Sequence, residues 1–511
     1  MVPSGKSLLV WFAALAVWLA FGALLETVGV PAVALLLLDV LAVTAILWRI
    51  ARHATAGTAG DFLMPMQEGP NALAPYGLAA TWISGFGTVG LTAAILMNGP
   101  GSYALVAGIV GGLVIGQTIL APALAETGAR SLTHWVRERF AGIAGGFMSV
   151  VLALTGLAIL TVQFAFAALL GEALFDLPAY IPVLLTALLV IVVVLPGGQT
   201  TMGPAQAALY LLLFAGLIVP AFWFTVSETG IVVPYLAPGA LLHEIAVAEA
   251  KMGIGREPQA LAAVVLGLTA LFGTLGLPHT MVRWPVERTG RNARWFAQRG
   301  TVLALLAIGV VPLFAIAARA RILAAALETG IAPPLPASSV EALSAGLAVI
   351  DPPGWLLAAL GTGGLAAILA AAASAVFLVA GSGGGDPERE TAGGLLSRLR
   401  WRGGAAVALA AFGALVIPLD PLTAFFGLLA YAASALLAPV TLGLLWHGTT
   451  ARGATAGTLA GTITLLAFAM TGWQAGALAG LAVSILATVL VSLATREPVL
   501  SPPVAIPPRL P

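Results

Sequence analysis

The chain has 511 residues, of which 60% are hydrophobic and only 8% carry a charge. Soluble domains carry about 25% charged residues, so this composition excludes a soluble globular protein. The formal net charge of +1 gives no basic surface for a nucleic acid, and we expect no such partner. The absence of cysteine excludes disulfides, thiolate metal sites and thiol nucleophiles.

Apolar runs follow one another from end to end of the chain. A membrane-spanning helix needs about 20 apolar residues, and the alternation typical of a β-barrel does not occur. The sequence therefore predicts an all-α polytopic protein of the lipid bilayer with about fourteen transmembrane helices. These helices are predicted near residues 7–25, 30–50, 71–97, 102–125, 141–171, 179–195, 203–226, 259–282, 300–318, 354–380, 403–418, 422–446, 453–471 and 474–494.

The first of these helices follows Lys6 and has two interpretations. A cleaved signal peptide also begins with a basic residue and an apolar run. Because no clear A-x-A site follows, and because the topology below needs this helix, we interpret it as a membrane span.

The distribution of arginine predicts which ends of the helices face the cytoplasm, because short cytoplasmic loops are rich in Lys and Arg. With the N-terminus inside, the inner loops hold Arg49, Arg52, Arg130, Arg137, Arg139, Arg283, Arg288, Arg291, Arg294, Arg299, Arg389, Arg398, Arg400, Arg402 and Arg452. The outer loops hold only Lys251, Arg256, Arg319 and Arg321. We therefore expect a multi-pass protein of the cell inner (plasma) membrane with both termini in the cytoplasm.

Three further segments lie between or after the predicted spans. The long outer connections 227–258 and 319–352 contain apolar stretches with polar breaks, which indicate short helices across an outer vestibule. The inner linker 381–402 is predicted to be a flexible loop. The Pro-rich end, residues 496–511, is predicted to be a disordered tail.

Two of the predicted helices contain clusters of helix breakers. The third, here called the first broken helix, holds Pro75, Gly77, Gly85, Gly87 and Gly90. The eighth, the second broken helix, ends in FGTLGLPHTMVRW at 272–284. Unpaired backbone groups at membrane depth are tolerated only where they line a protein-buried or watered site. Such a pair, five helices apart and entering from opposite sides, is typical of the substrate site of inverted-repeat transporters. Close helix packing is the alternative explanation of these glycines.

Four motifs resemble those of the sodium:solute symporter family, and most closely its cation/acetate permease branch. FGTLGLPHTMVRW is similar to the family's G-x-x-G-x-P-H-x-x-x-R-F/W segment, and ATWISGFGTVG at 80–90 to its A-x-x-[MI]-S with a following glycine. PGGQTTMGPAQ at 196–206 has the family's Gly-Gly pair and, as Gln206, its Gln or Asp. LLWHGTTARGATAGTLAG at 444–461 resembles W-x-x-x-T-x-R-G-A-x-x-G.

The resemblance implies a LeuT-type inverted-repeat fold. Two helices at 1–57 would precede the core, the repeats would occupy 58–227 and 228–447 with five helices each, and two helices would follow at 448–495. It also implies a sodium site and a site for a small solute. The cation-binding positions would be Ala80, Ile83, Ala367, Ala370, Ala371 and Ser374. The substrate-binding positions would be Thr81, Trp82, Ser84, Gly85, Gln163, Gly273 and Gly276.

The sequence departs from the family at both predicted sites. Proline and acetate permeases carry an Asp beside the Met of the first broken helix, where Thr81 and Trp82 stand here. Where the family usually has hydroxyls on the second-repeat cation helix, this chain has Ala367, Ala370 and Ala371, and the first hydroxyl is Ser374, one turn away. These changes leave sodium, proton or no coupling open.

Several polar residues inside predicted spans have both a functional and a structural interpretation. Asp39 is an acid at membrane depth, which is costly and by default a functional hypothesis, although a polar contact to a neighbouring helix also explains it. Gln163 is expected to line the cavity. His279 is interpreted as a structural residue at a helix end, Arg283 as a charge anchor, and Trp82 as a wall that narrows the cavity or simply packs.

We expect a secondary symporter that imports a small organic solute, such as acetate, with sodium as the coupling ion. The loops lack a Walker sequence, paired acidic motifs and metal-ligand clusters, so we predict no enzyme and no other cofactor. The alternatives are a proton-coupled or uncoupled transporter-like protein for another small solute and a non-transporting sensor homologue.

Overall fold

The computed structural model describes residues 5–63, 73–253, 260–282, 284, 290–331, 336–383, 392–471 and 475–495, and this part of the chain is helical with no strand. The first helices are α1 (Gly5–Thr27), α2 (Ala32–His53), α3 (Ala59–Leu63), α4 (Ala74–Gly85), α5 (Leu91–Asn98), α6 (Tyr103–Ile115), α7 (Ala121–Glu126) and α8 (Leu132–Phe140). Next come α9 (Gly142–Phe175), α10 (Tyr180–Val194), α11 (Gln199–Thr229), α12 (Pro238–Met252), α13 (Ala260–Gly276), α14 (Pro278–Met281), α15 (Gly290–Ile308) and α16 (Val311–Thr329). The last are α17 (Ser339–Ile350), α18 (Gly354–Gly381), α19 (Ala392–Val416), α20 (Pro421–Tyr431), α21 (Leu437–Leu445), α22 (Ala451–Ala469) and α23 (Gly476–Thr495).

The described residues confirm the prediction of an all-helical membrane protein. Ten helical segments are long and apolar enough to cross a bilayer, and four shorter apolar helices accompany them among the described residues. Each of the fourteen predicted ranges overlaps a described helix. The number of fourteen spans and the division into repeats stay predictions.

The inner linker differs from its prediction. Residues 392–402, predicted as part of a flexible loop, form the first turns of α19. Leu395, Leu396 and Leu399 are buried on one face of these turns, and burial of an amphipathic face stabilises a helix that composition alone does not indicate. Residues 384–391 and the predicted tail lie outside the described residues.

The charged loops separate to the two ends of the bundle. At one end Arg294 pairs with Glu126 at 3.6 Å, and Arg400 donates to the carbonyl oxygens of Leu195 and Pro196 at 2.9 and 2.7 Å. All of these residues belong to the predicted inner loops or adjoin them. The contacts therefore group the arginine-rich loops as the charge pattern predicts.

The opposite end holds the ion pairs of the predicted outer loops. Arg319 pairs with Glu249 and Arg321 with Glu228, each at 2.7 Å. The long outer connections contain α12 and α17, and Ser339 at the start of α17 donates to Asp420 at 2.5 Å. Short helices thus lie at this end, tied to the bundle by polar contacts.

The helix α18 lies at the centre of the bundle, and its composition explains why. Its sequence GTGGLAAILAAAASA consists largely of small residues, which let neighbouring helices approach closely. At Gly216 of α11 a methyl group would lie 2.5 Å from the carbonyl oxygen of Ala359 on α18. Consequently α4, α9 and α11 all pack against α18.

The N-terminal hairpin of α1 and α2 binds α18 through two acids. Glu26 accepts hydrogen bonds from the backbone N–H groups of Gly354 and Trp355 at 2.7 and 3.0 Å, at the N-terminus of α18. Asp39 accepts from Trp18 Nε1 at 2.5 Å and from Thr362 Oγ1 at 2.9 Å. The structure thus supplies the polar contact to a neighbouring helix that is one of the two interpretations of Asp39.

The absence of native cysteine allows a direct test of orientation in intact cells. We expect an impermeant maleimide to label Glu328→Cys at the end of α16 from outside and to leave Arg294→Cys unlabelled until the membrane is permeabilised. The reason is that the arginine-rich loop before α15 is predicted to stay in the cytoplasm. Labelling of Arg294→Cys in sealed cells would show that the orientation is reversed.

Candidate transport site

The first broken helix is interrupted at Ser84, the second-last residue of α4, just before a single π-helical turn at Phe86–Gly90. Ser84 has φ 54° and ψ 177°, a conformation that residues other than glycine rarely adopt and that costs of order 1–3 kcal/mol. The N–H of Gly85 donates to Gln163 Oε1 at 2.9 Å. The break is therefore built into the fold, and a side chain of α9 satisfies a backbone group that it frees.

The second broken helix ends its long part at Gly276 and restarts as the short α14 at Pro278. The residue between them, Leu277, is extended, with φ −67° and ψ 112°. A proline disfavours the helical conformation at the residue before it and has no N–H to donate. The sequence L-P-H thus interrupts the helix at the predicted place.

A small cavity lies between the two breaks. Its volume open to the centre of a water molecule is about 20 Å³, which is room for about one water. None of its lining residues carries a formal charge unless the histidine is protonated. They are Trp82, Ile83, Ser84, Phe86, Gly87, Leu91, Val106, Ile109, Thr274, Leu277, His279, Thr280, Ile308 and Phe425.

Two polar atoms of the cavity residues have no hydrogen-bond partner. Trp82 Nε1 and His279 Nδ1 are both buried and unpaired, and the residues are only 6% and 2% exposed. A buried polar group without a partner costs about 1–3 kcal/mol. The breaks therefore present two nitrogen atoms that a small polar ligand would satisfy.

A second polar cluster lies on the other side of α4, against α11 and α18. Thr81 Oγ1 and Ser374 Oγ are 3.3 Å apart. Gln206 Nε2 donates to Thr81 Oγ1 at 3.2 Å, to Ser374 Oγ at 3.0 Å and to the carbonyl oxygen of Ala370 at 2.9 Å. All four residues are fully buried. Three helices are thus joined at one point by groups rich in oxygen.

The predicted cation-binding positions lie on these two facing helices. Ala80 and Ile83 are on α4, and Ala367, Ala370, Ala371 and Ser374 are on α18, all of them fully buried. The structure brings Ala370 and Ser374 together with Thr81, which the sequence assigned to the substrate. Whether these groups hold an ion stays a prediction.

Apart from Thr81, which belongs to the oxygen cluster, the predicted substrate-binding positions divide into three places. Trp82 and Ser84 line the cavity. Gly85 and Gln163 form the hydrogen bond at the first break. Gly273 and Gly276 pack against α20 and the residue that directly follows it. A methyl group at Gly273 would lie 2.5 Å from the carbonyl oxygen of Leu429. These two glycines do not line the cavity, so close packing accounts for them.

Sequence reasoning missed part of the site. His279, interpreted as a structural residue at a helix end, is buried beside the cavity because α14 turns inward after the break. Phe425, Val106 and Ile109 also line it, and an apolar residue in an apolar run gives no signal of such a role. Gln206 lay within a quoted motif, whose spacing pointed to it. Arg283 lies outside the described residues.

These features define the class of the protein. The sodium:solute symporter family model matches residues 67–382, more than half of the chain. The chain belongs to the sodium:solute symporter family, and it is a transporter and not an enzyme.

Two solved structures were found to be similar to this chain. A Na⁺-coupled sialic acid symporter in a substrate-bound outward-open state is 14% identical and has a TM-score of 0.71, with 91% of this chain and 98% of that chain covered. A manganese transporter of Eremococcus coleocola is 15% identical with a TM-score of 0.41, covering 86% of this chain and 96% of that one. No curated protein matches the chain by sequence. The first of these likenesses supports the predicted LeuT-type fold, at an identity that shows the fold alone.

Gly85 has helical backbone angles, φ −61° and ψ −34°, so any residue fits its conformation and only space restricts it. A methyl group there would lie 2.8 Å from side-chain carbons of both Ile368 and Phe166. We expect Gly85→Ala to reduce the rate of solute uptake into proteoliposomes at least tenfold, while the protein still inserts in the membrane. Gly427→Ala on α20, where a methyl group meets nothing within 4 Å, is the matched control. Normal uptake by Gly85→Ala would contradict a packed break.

Proposed function

We propose that this transporter takes up a short monocarboxylate such as acetate together with sodium. The main support is the uncharged cavity between the two breaks, whose lining residues Trp82 and His279 have unpaired buried nitrogens, Nε1 and Nδ1. An indole N–H is a donor only, and a neutral imidazole with its proton on Nδ1 is a second donor. Two such donors, on residues that line the same cavity, suit the two oxygens of a carboxylate.

The size of the cavity favours a small solute. With room for about one water, the site is contracted in this conformation, and a solute of a few heavy atoms requires the smallest displacement of Trp82 and Leu277. Apolar walls from Ile109, Ile308 and Phe425 suit the methyl group of acetate. Larger solutes would have to displace packed side chains of both breaks.

A cation beside the first break explains how an anion is accepted in an uncharged site. The predicted ligands Ala80 and Ile83 flank Thr81 and Trp82 in the chain. A cation held by these carbonyl oxygens would offset the charge of a carboxylate at Trp82, since unit charges attract strongly where water is excluded. It would also fix the unwound turn that positions the indole. Binding of either species therefore favours binding of the other, which is the requirement for symport.

The second candidate is a proton-coupled or uncoupled transporter-like protein, or a sensor that does not transport. One observation favours it. The amide nitrogen of Gln206 already donates to Ala370 and Ser374, two of the six predicted cation-binding positions. The same cluster is therefore the point at which coupling has to be tested.

Purified protein in proteoliposomes distinguishes these functions. We expect uptake of radiolabelled acetate to require an inward sodium gradient, with an apparent sodium affinity in the range of about 1 mM or weaker because the site has no charged ligand. Replacement of sodium by choline should abolish uptake. Uptake that persists in choline but collapses with a protonophore at zero membrane potential would assign the coupling to protons.

The indole nitrogen tests the substrate site itself. Trp82→Phe removes the donor and keeps most of the aromatic wall, so we expect the KM for acetate to rise about tenfold, because a hydrogen bond to a charged group contributes about 1.5–3 kcal/mol. The maximal rate should change little. Trp401→Phe on α19, where the side chain is exposed, is the matched control. An unchanged KM in Trp82→Phe would place the carboxylate elsewhere.

A further inference from the structure

The side-chain amide of Gln206, on α11, lies against three oxygen atoms of two other helices, α4 and α18. Its nitrogen is 2.9–3.2 Å from Thr81 Oγ1, Ser374 Oγ and the carbonyl oxygen of Ala370. An amide nitrogen has only two protons, so three oxygens share them. The positively polarised N–H₂ group is thus surrounded by several oxygen atoms and shielded from water. A hard cation selects the same kind of surroundings.

The orientation of this amide follows from its partners. The backbone oxygen of Ala370 only accepts hydrogen bonds, so the nitrogen and not the oxygen of the amide must face it. The amide oxygen, Oε1, is buried and has no partner. Gln206 therefore satisfies its donors and leaves a strong acceptor, Oε1, unused.

We propose that the Gln206 amide N–H₂ group occupies the position of the coupling cation in the sodium-free state, and that sodium displaces it by rotation of the amide. The inference rests on the proposed sodium coupling. The last side-chain torsion of Gln has a broad, roughly two-fold profile, so a half-turn exchanges nitrogen and oxygen with little movement elsewhere.

The rotation completes a set of oxygen ligands. Gln206 Oε1 then joins Thr81 Oγ1, Ser374 Oγ and the carbonyl oxygen of Ala370, and the predicted carbonyl oxygens of Ala80 and Ile83 raise the set to six. Hard cations take about six or more oxygens from carbonyls, amides and hydroxyls. Gln206 thus supplies what the alanines at 367, 370 and 371 lack.

The exchange links ion binding to helix contacts. In the sodium-free state the amide donors hold α4, α11 and α18 together, and the ion has to replace these hydrogen bonds before it gains its own ligands. Because the amide donors and the ion compete for the same oxygen atoms, the apparent affinity for sodium is lower than these ligands alone would give. Gln206 is in this sense a positioning residue in one state and an ion ligand in the other.

Two substitutions test the proposal by changing opposite parts of the amide. Gln206→Glu removes the competing N–H donors and adds a negative charge, so we expect the sodium concentration at half-maximal uptake to fall at least tenfold and to become dependent on pH. Gln206→Leu removes the oxygen ligand, so the same concentration should rise at least tenfold. Gln298→Glu, at an exposed position of α15, makes the same charge change away from the cluster and should behave as wild type.

Thermal unfolding gives a second measurement that needs no uptake. A ligand that binds the folded state stabilises it, so the unfolding temperature should be higher in NaCl than in choline chloride of the same concentration. The sodium concentration that gives half of this stabilisation should shift in each variant in the same direction as the sodium concentration at half-maximal uptake. Wild-type sodium dependence with unaltered midpoints in both Gln206 variants would overturn the amide exchange alone. Absence of any sodium response in wild-type uptake and stability would overturn the proposed coupling instead.

Discussion

A backbone N–H group freed from its helix inside a membrane must find a partner within the protein, and this constraint organises the site. The first broken helix frees such groups at Ser84, and Gln163 of α9 accepts the hydrogen bond of Gly85 at 2.9 Å. An unpaired group in hydrocarbon costs several kcal/mol. The break is therefore tolerated because the amide side chain of Gln163 on α9 accepts this hydrogen bond. The same hydrogen bond ties α4 to α9.

The second requirement is space for the unwound turn. Helix α18 meets it with small residues, so that Ile368 and the alanines around it form a close wall against α4. Because Gly363 on α18 and Gly216 on α11 bring two backbones into contact, the central helix has no room to shift sideways. The N-terminal hairpin adds the contacts of Glu26 and Asp39 to the same helix. The predicted cation-binding positions Ala367, Ala370, Ala371 and Ser374 thus lie on a helix that is enclosed by its neighbours.

Sequence reasoning reached the fold because its signals are physical and local. Apolar runs predict spans, arginines predict loop sides, and the residues around Leu277 and Pro278 predict a break by their own backbone restrictions. The strain at Ser84 was not predictable, because serine carries no preference for a positive φ. Nor was the division of the substrate positions, since it depends on which face of α4 meets which neighbour. The helical start of α19 was missed because its stabilising contacts are made by residues distant in the chain.

The first broken helix also places the proposed ion site and the proposed substrate site next to each other. Thr81 and Trp82 are adjacent in the chain, and successive helical residues project about 100° apart. Thr81 accordingly meets Gln206 and Ser374 on one side, while Trp82 lines the cavity on the other. One turn of helix, released by the break that follows it, is therefore shared by both sites. In the proposed symport, a change in the oxygen cluster that moves this turn also moves the indole, so coupling requires only that the turn has two positions.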